Sequence, residues 1–114
     1  MDTKRLALIA GAAIDKNKGT DIMILDIAGK SSFADYFILA SGRNERQIGA
    51  LRDDVEDALA EAGLVVKNIE GRKESGWILM DYGDIIVNIL TEEMRERYNI
   101  EKVWADCETV GLEA

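Results

Sequence analysis

Four carboxylates, Asp26, Asp35, Asp81 and Asp84, fall where strands are expected to end, and they are the residues best placed to do chemistry. Acids gathered at strand ends are how two-metal sites hold the cations that drive phosphoryl transfer. Nucleotidyl transfer on that pattern uses a Gly-Ser turn before a helix and two acids spaced i and i+2 on one strand. Here the turn reads Ser41-Gly42, and Asp26-Ile27-Ala28 supplies one acid of the pair. Asp81 and Asp84 flank a turn, where short acidic side chains hydrogen-bond nearby backbone. Other chemistries have less to draw on. The chain has no His, hence no Ser-His or Cys-His couple and no imidazole ligand. Its single cysteine, Cys107, stands between Asp106 and Glu108, and acidic neighbours disfavour a nucleophilic thiolate. Gly29-Lys30-Ser31 lacks the earlier glycine of a phosphate-binding loop. Neither catalysis nor a cofactor or metal site is expected.

Charge points instead toward binding. Twenty-two acids against fourteen bases give a formal net charge of −8. Such a chain repels a phosphate backbone, so direct nucleic-acid contact is not expected. The same charge keeps a protein soluble and steers it toward basic surfaces. One cysteine allows no internal disulfide and fits a reducing, cytoplasmic location. No apolar run approaches the roughly 18 residues of a membrane span. The apolar start of the chain continues through Ile14-Asp15-Lys16 and reads as a first helix, not a secretory signal.

The elements that must position these residues follow from periodicity. At 114 residues the chain is expected to be one domain, residues 1–114. Leu6, Ile9, Ala10, Ala13 and Ile14 form a stripe on a helix over residues 3–16. Strands are expected at residues 21–26 and 36–40. A second helix over residues 44–62 starts at Asn44, with Gln47 three positions on as in a capping box. Residues 64–69 read as a weaker strand near a sheet edge. Trp77-Ile78-Leu79-Met80-Asp81 and the apolar run from Asp84 to Leu90 then form a β-hairpin across Tyr82-Gly83. Thr91 caps a short helix, a tail tied by Tyr98 and Val103 carries a packed Trp104, and residues after Cys107 read as frayed. The fold class is therefore α/β: a mixed β-sheet of about five strands with helices packed mainly on one face. Part of the other face is left for a partner or a second copy of the chain. Trp77 opens the hairpin after a polar loop, the position of an aromatic anchor rimmed by charge.

The ordered set Ala34-Asp35-Tyr36-Phe37, Ala40-Ser41-Gly42, Arg46-Gln47, Glu70-Gly71, Trp77 with Leu79, Asp81-Tyr82-Gly83-Asp84 and residues 98–104 resembles the ribosomal silencing factor family, also called Iojap-related proteins. The resemblance covers roughly residues 4 to 107. It departs at Asn88, where many members carry His. It implies a nucleotidyltransferase-like topology without the catalytic acids. It also implies binding to ribosomal protein L fourteen on the large ribosomal subunit, which sterically blocks small-subunit joining and represses translation when nutrients are scarce. Organellar relatives assist large-subunit assembly, and a homodimer is plausible in the family. On this reading Trp77, Leu79, Met80, Asp81 and Tyr82 supply the partner-binding surface, with Glu70 as a rim charge. A divergent metal-dependent nucleotidyltransferase is the competing expectation.

Overall fold

Each of the three α-helices starts at a side-chain cap, two of which, Asn44 and Thr91, are expected from the sequence. The structure, a computed structural model, describes residues 2–105 and 107–111, with Trp104 placed by its backbone alone. The packing expected of the Trp104 side chain therefore lies outside the described residues. Helix α1 (Thr3–Lys16) opens where the Asp2 carboxylate accepts from Arg5 N–H at 3.3 Å. Helix α2 (Glu45–Glu61) opens on Asn44, whose Oδ1 accepts from Gln47 N–H at 2.9 Å. The Gln47 side chain reaches back one residue further than a standard capping box and accepts from Arg43 N–H at 2.6 Å. Helix α3 (Glu92–Tyr98) opens on Thr91, with Glu92 and Glu93 at its positive end.

The strands are β1 (Thr20–Asp26), β2 (Tyr36–Gly42), β3 (Asn68–Glu70), β4 (Trp77–Asp81), β5 (Ile85–Thr91) and β6 (Glu108–Thr109). They form one mixed sheet in the order β3-β4-β5-β2-β1-β6. Among the described residues, only β2 and β5 run parallel, at its centre, and every other neighbouring pair is antiparallel. Helices α1 and α2 cover one face, where Ile14, Leu51, Val55 and Leu59 meet Ile38, Ile78, Val87 and Ile89. Burying each such side chain contributes about 1.5–3 kcal/mol, which makes this layer the principal core. The opposite face carries a smaller cluster of Leu25, Ile27, Phe37, Leu39, Ile86 and Leu90, partly covered by Met94 and Ile100.

Three expectations are corrected. The sheet has six strands, because Glu108 and Thr109, expected to fray, pair with Asp26 and Leu25. Residues 64–67 are not a strand. Leu64 N–H still bonds back to the Leu59 carbonyl at 2.8 Å, and only at Lys67 does an N–H reach the Asp81 carbonyl of β4. The hairpin turn is Gly83-Asp84, one residue later than expected, since Tyr82 N–H donates to the Ile85 carbonyl at 2.9 Å. Gly83 takes a φ of 92° at the first turn position, which favours glycine in a two-residue hairpin.

Two buried polar side chains deserve energetic weight. Arg95 of α3 is 8% exposed; its guanidinium donates to the Asp21 carbonyl and, at 3.0 Å, to Ser41 Oγ, and faces Glu101 at 3.5 Å. The register irregularity between Thr20 and Met23 lies at this point in β1. Arg95 thereby pins the short helix to β1 and β2. Tyr82 is 3% exposed, and its hydroxyl has no hydrogen-bond partner among the described residues. Burial, with the Glu56 charge as a smaller cause, pushes its pKa up to about 12.

Two outcomes follow. Arg95→Ala should lower the unfolding free energy by about 1.5–3 kcal/mol in urea titration, with the largest loss of amide-exchange protection in α3. For Tyr82, the folded state holds its proton more tightly than the unfolded chain, so its contribution is complete below pH 10 and falls away as pH rises toward 12. The share lost is about 2–3 kcal/mol at pH 12. Tyr36, raised by burial and by Asp26, Asp35 and Asp2, adds to the same decline. Tyr82→Phe should flatten the alkaline fall while leaving stability at pH 7 unchanged or slightly higher.

Candidate partner-binding groove

Strand alternation divides the six residues of interest. Along β4, Ile78 and Met80 point into the helix-covered core, while Trp77, Leu79 and Asp81 lie half-buried on the opposite face. Met80 is 0% exposed and Tyr82 is 3% exposed. Both therefore pack beneath the helices, and neither is presented to a partner in this structure. Glu70 pairs in register with Leu79, so its exposed side chain stands on the same sheet face. Asp81 shares that face but sits four residues beyond Trp77, about 13 Å along the strand. The fold thus brings together Glu70, Trp77 and Leu79, and separates Met80, Asp81 and Tyr82 from them. Nor is the hairpin exposed: β5 is buried along all but its last residue.

Helix α3 supplies the opposite wall. Met94 and Tyr98 lie four residues apart, hence on one helix face. Together with Glu70, Gly71, Ser75, Trp77 and Leu79 they line a groove of about 480 Å³. The Trp77 and Tyr98 rings stand 5.4 Å apart at 46°, a tilted aromatic pair that leaves Tyr98 51% exposed. The sequence leads one to expect Tyr98 and Val103 to tether the tail. Val103 is instead 69% exposed, and Tyr98 is the outer lip of the groove. The i, i+4 spacing of Met94 and Tyr98 was the available signal.

The rim is rigid for local reasons. Gly71 has φ 81°, and a Cβ there would stand 2.1 Å from the Trp77 carbonyl oxygen, so only glycine fits. A 3-10 turn (Lys73–Ser75) follows. Ser75 Oγ donates to the Arg72 carbonyl at 2.7 Å, with the Trp77 carbonyl also within reach at 3.1 Å, and accepts from Arg72 N–H at 3.3 Å. At the groove floor the Trp77 indole N–H donates to Asn88 Oδ1 at 2.9 Å. Asn88 is 1% exposed, and its Nδ2 has no partner among the described residues. A buried amide satisfied on one side is unfavourable by itself. Here it fixes the orientation of the indole plane.

The strand-end acids are occupied differently. Asp81 Oδ1 accepts from Gly83 N–H at 2.8 Å and closes the hairpin, and Asp26 Oδ1 accepts from Ala28 N–H at 3.2 Å. Among the described residues, no three His, Cys, Asp or Glu side chains converge as a metal ion would require. Among the described residues, no helix is long and apolar enough to cross a membrane. What the groove offers is an aromatic and thioether lining with one carboxylate at its edge, suited to receiving apolar and basic side chains.

Comparison with known proteins bears on the family and the fold. The family model described as ribosomal silencing factor during starvation matches residues 1–114. A ribosomal silencing factor of Bacillus subtilis is 37% identical over 113 residues, covering 99% of this chain and 96% of that protein. A mouse protein named for mitochondrial assembly of the ribosomal large subunit is 27% identical over 88 residues, covering 74% of this chain and 38% of its own length. A crystal structure from Chromobacterium violaceum superposes with a TM-score of 0.88 at 33% identity, over 92% of this chain and 88% of that one.

The Trp77–Asn88 bond is open to a direct check. Asn88→Leu should change stability by less than about 1.5 kcal/mol, because it removes a half-satisfied amide as well as an acceptor. It should nevertheless abolish exchange protection of the Trp77 indole N–H in NMR spectra. Asn88→His, whose neutral ring retains an acceptor nitrogen, should keep that protection at pH 8 and lose it when the imidazole is protonated.

Proposed function

Because the chain belongs to the ribosomal silencing factor family, we propose that it docks through the Trp77–Tyr98 groove on ribosomal protein L fourteen of the large subunit and sterically blocks joining of the small subunit. The groove itself is the observation that carries this reading: a preformed, rigidly floored apolar trough on the sheet face that α1 and α2 leave uncovered. On this proposal Trp77, Leu79 and Glu70 make the contacts, together with Met94 and Tyr98, which line the same groove. Asp81 serves on the same face as a more distant charge. A net charge of −8 suits a basic ribosomal protein and weakens attachment as salt rises.

The mechanism is occupancy. It needs no bond-making: the bound chain must only outlast or outcompete the encounter between subunits, and in the cytoplasm this lowers the pool of joined ribosomes. A second reading, large-subunit assembly on the same partner, is favoured by the name of the mouse relative. It uses the same groove and differs in the stage at which the protein is bound. Metal-dependent nucleotidyl transfer draws no support from the acids, since Asp26 and Asp81 each accept from a turn amide.

Trp77→Ala should weaken binding to purified large subunits by about 2 kcal/mol, roughly 30-fold, in sedimentation or interferometry at moderate salt. Binding within about 1 kcal/mol of wild type would remove Trp77 as the anchor.

A further inference from the structure

Four cations gather on the helix side of the loop that forms the groove rim. Arg46 and Arg52 of α2, with Arg72 and Lys73, line a second groove of about 560 Å³ whose lining includes two acids, Asp53 and Glu74. Their proximity is built in. Gly49 lies in the interior of α2, where glycine is about 1 kcal/mol less favourable than alanine. A Cβ at Gly49 would stand 3.1 Å from Lys73 Cδ, so the bare backbone lets the Lys73 stem lie across the helix between Arg46 and Arg52. Arg52 is paired with Asp53 at 2.7 Å, whereas Arg46, Arg72 and Lys73 are exposed and form no ion pair with a described residue. Unpaired like charges held together weaken a fold slightly and are not needed for solubility in a chain of net charge −8.

We propose that this groove receives a phosphate backbone of ribosomal RNA when the neighbouring apolar groove is seated on the large subunit. The inference rests on the large-subunit reading above. Gly71 lines both grooves, so a partner lying on Trp77 and Tyr98 extends directly over the loop to the cations. Arg46 and Arg52 stand about 9 Å apart along the helix, a span that follows a polymer of charges better than one carboxylate. Guanidinium forks match phosphate oxygens. Overall charge argues against nucleic-acid binding, but phosphate responds to the local cluster, and here four bases face two acids.

The test is the salt dependence of binding to intact large subunits. Arg46→Ala/Arg72→Ala should reduce the slope of log affinity against log salt by about 2, with an unchanged thermal midpoint. Lys16→Ala, an exposed cation on α1, should leave the slope as in wild type. An unchanged slope in the double variant overturns the proposal. A benzophenone amino acid substituted at Arg72 should cross-link to RNA in the complex; cross-linking to ribosomal protein alone also overturns it. Trp77→Ala should lower affinity without altering the slope. If it has no effect while the double variant still flattens the slope, the apolar-groove reading fails and the phosphate contact stands. A wild-type chain that does not bind the large subunit overturns both.

Discussion

A sheet whose central strands are buried on both faces needs cover on both, and this chain is built with cover for little more than one. The parallel pair β2 and β5 carries apolar side chains alternately to either side. Two helices of 14 and 17 residues close the first face. The second receives a helix of seven residues and a short 3-10 segment. That shortfall creates the groove, because Trp77 and Leu79 have apolar neighbours on one flank and an open flank on the other. Arg95 decides where the short helix lies. Its bonds to Asp21 and Ser41 tie α3 across the far strands of the sheet and hold Met94 and Tyr98 opposite Trp77.

Rigidity separates this trough from an accidental gap. Gly71 packs without a side chain against the Trp77 carbonyl, Ser75 staples the loop, and Asn88 orients the indole from below. An aromatic anchor held in place before binding loses less entropy when a partner arrives, which is how a small interface gains affinity. Each of these three supports acts on Trp77 or its own backbone. The sequence positions 71, 75, 77 and 88 thus form one device although they span three segments.

Caps, the sheet's hairpin and both long helices were legible because each rests on local chemistry: Asn44 with Gln47, Thr91 with its acids, two apolar runs around a glycine. The partition of Met80 and Tyr82 from Trp77 was not. Both faces of β4 are apolar, so hydropathy alone does not say which one is covered, and the run read as a single ribbon. Residues 108–109 read as frayed because a two-residue strand has no periodicity. The cationic cluster was hidden for another reason. Net charge averages over the surface, and only the fold shows that Arg46, Arg52, Arg72 and Lys73 converge.

If the chain acts as proposed, occupancy of the large subunit and joining of the small subunit exclude one another. This exclusion is tested most directly by following subunit joining by light scattering while titrating the protein onto large subunits, with bound protein quantified in each sedimented fraction. Joined ribosomes should decline in step with occupancy and carry none of the protein. Joined ribosomes that form at the normal rate with the protein still attached would contradict the exclusion.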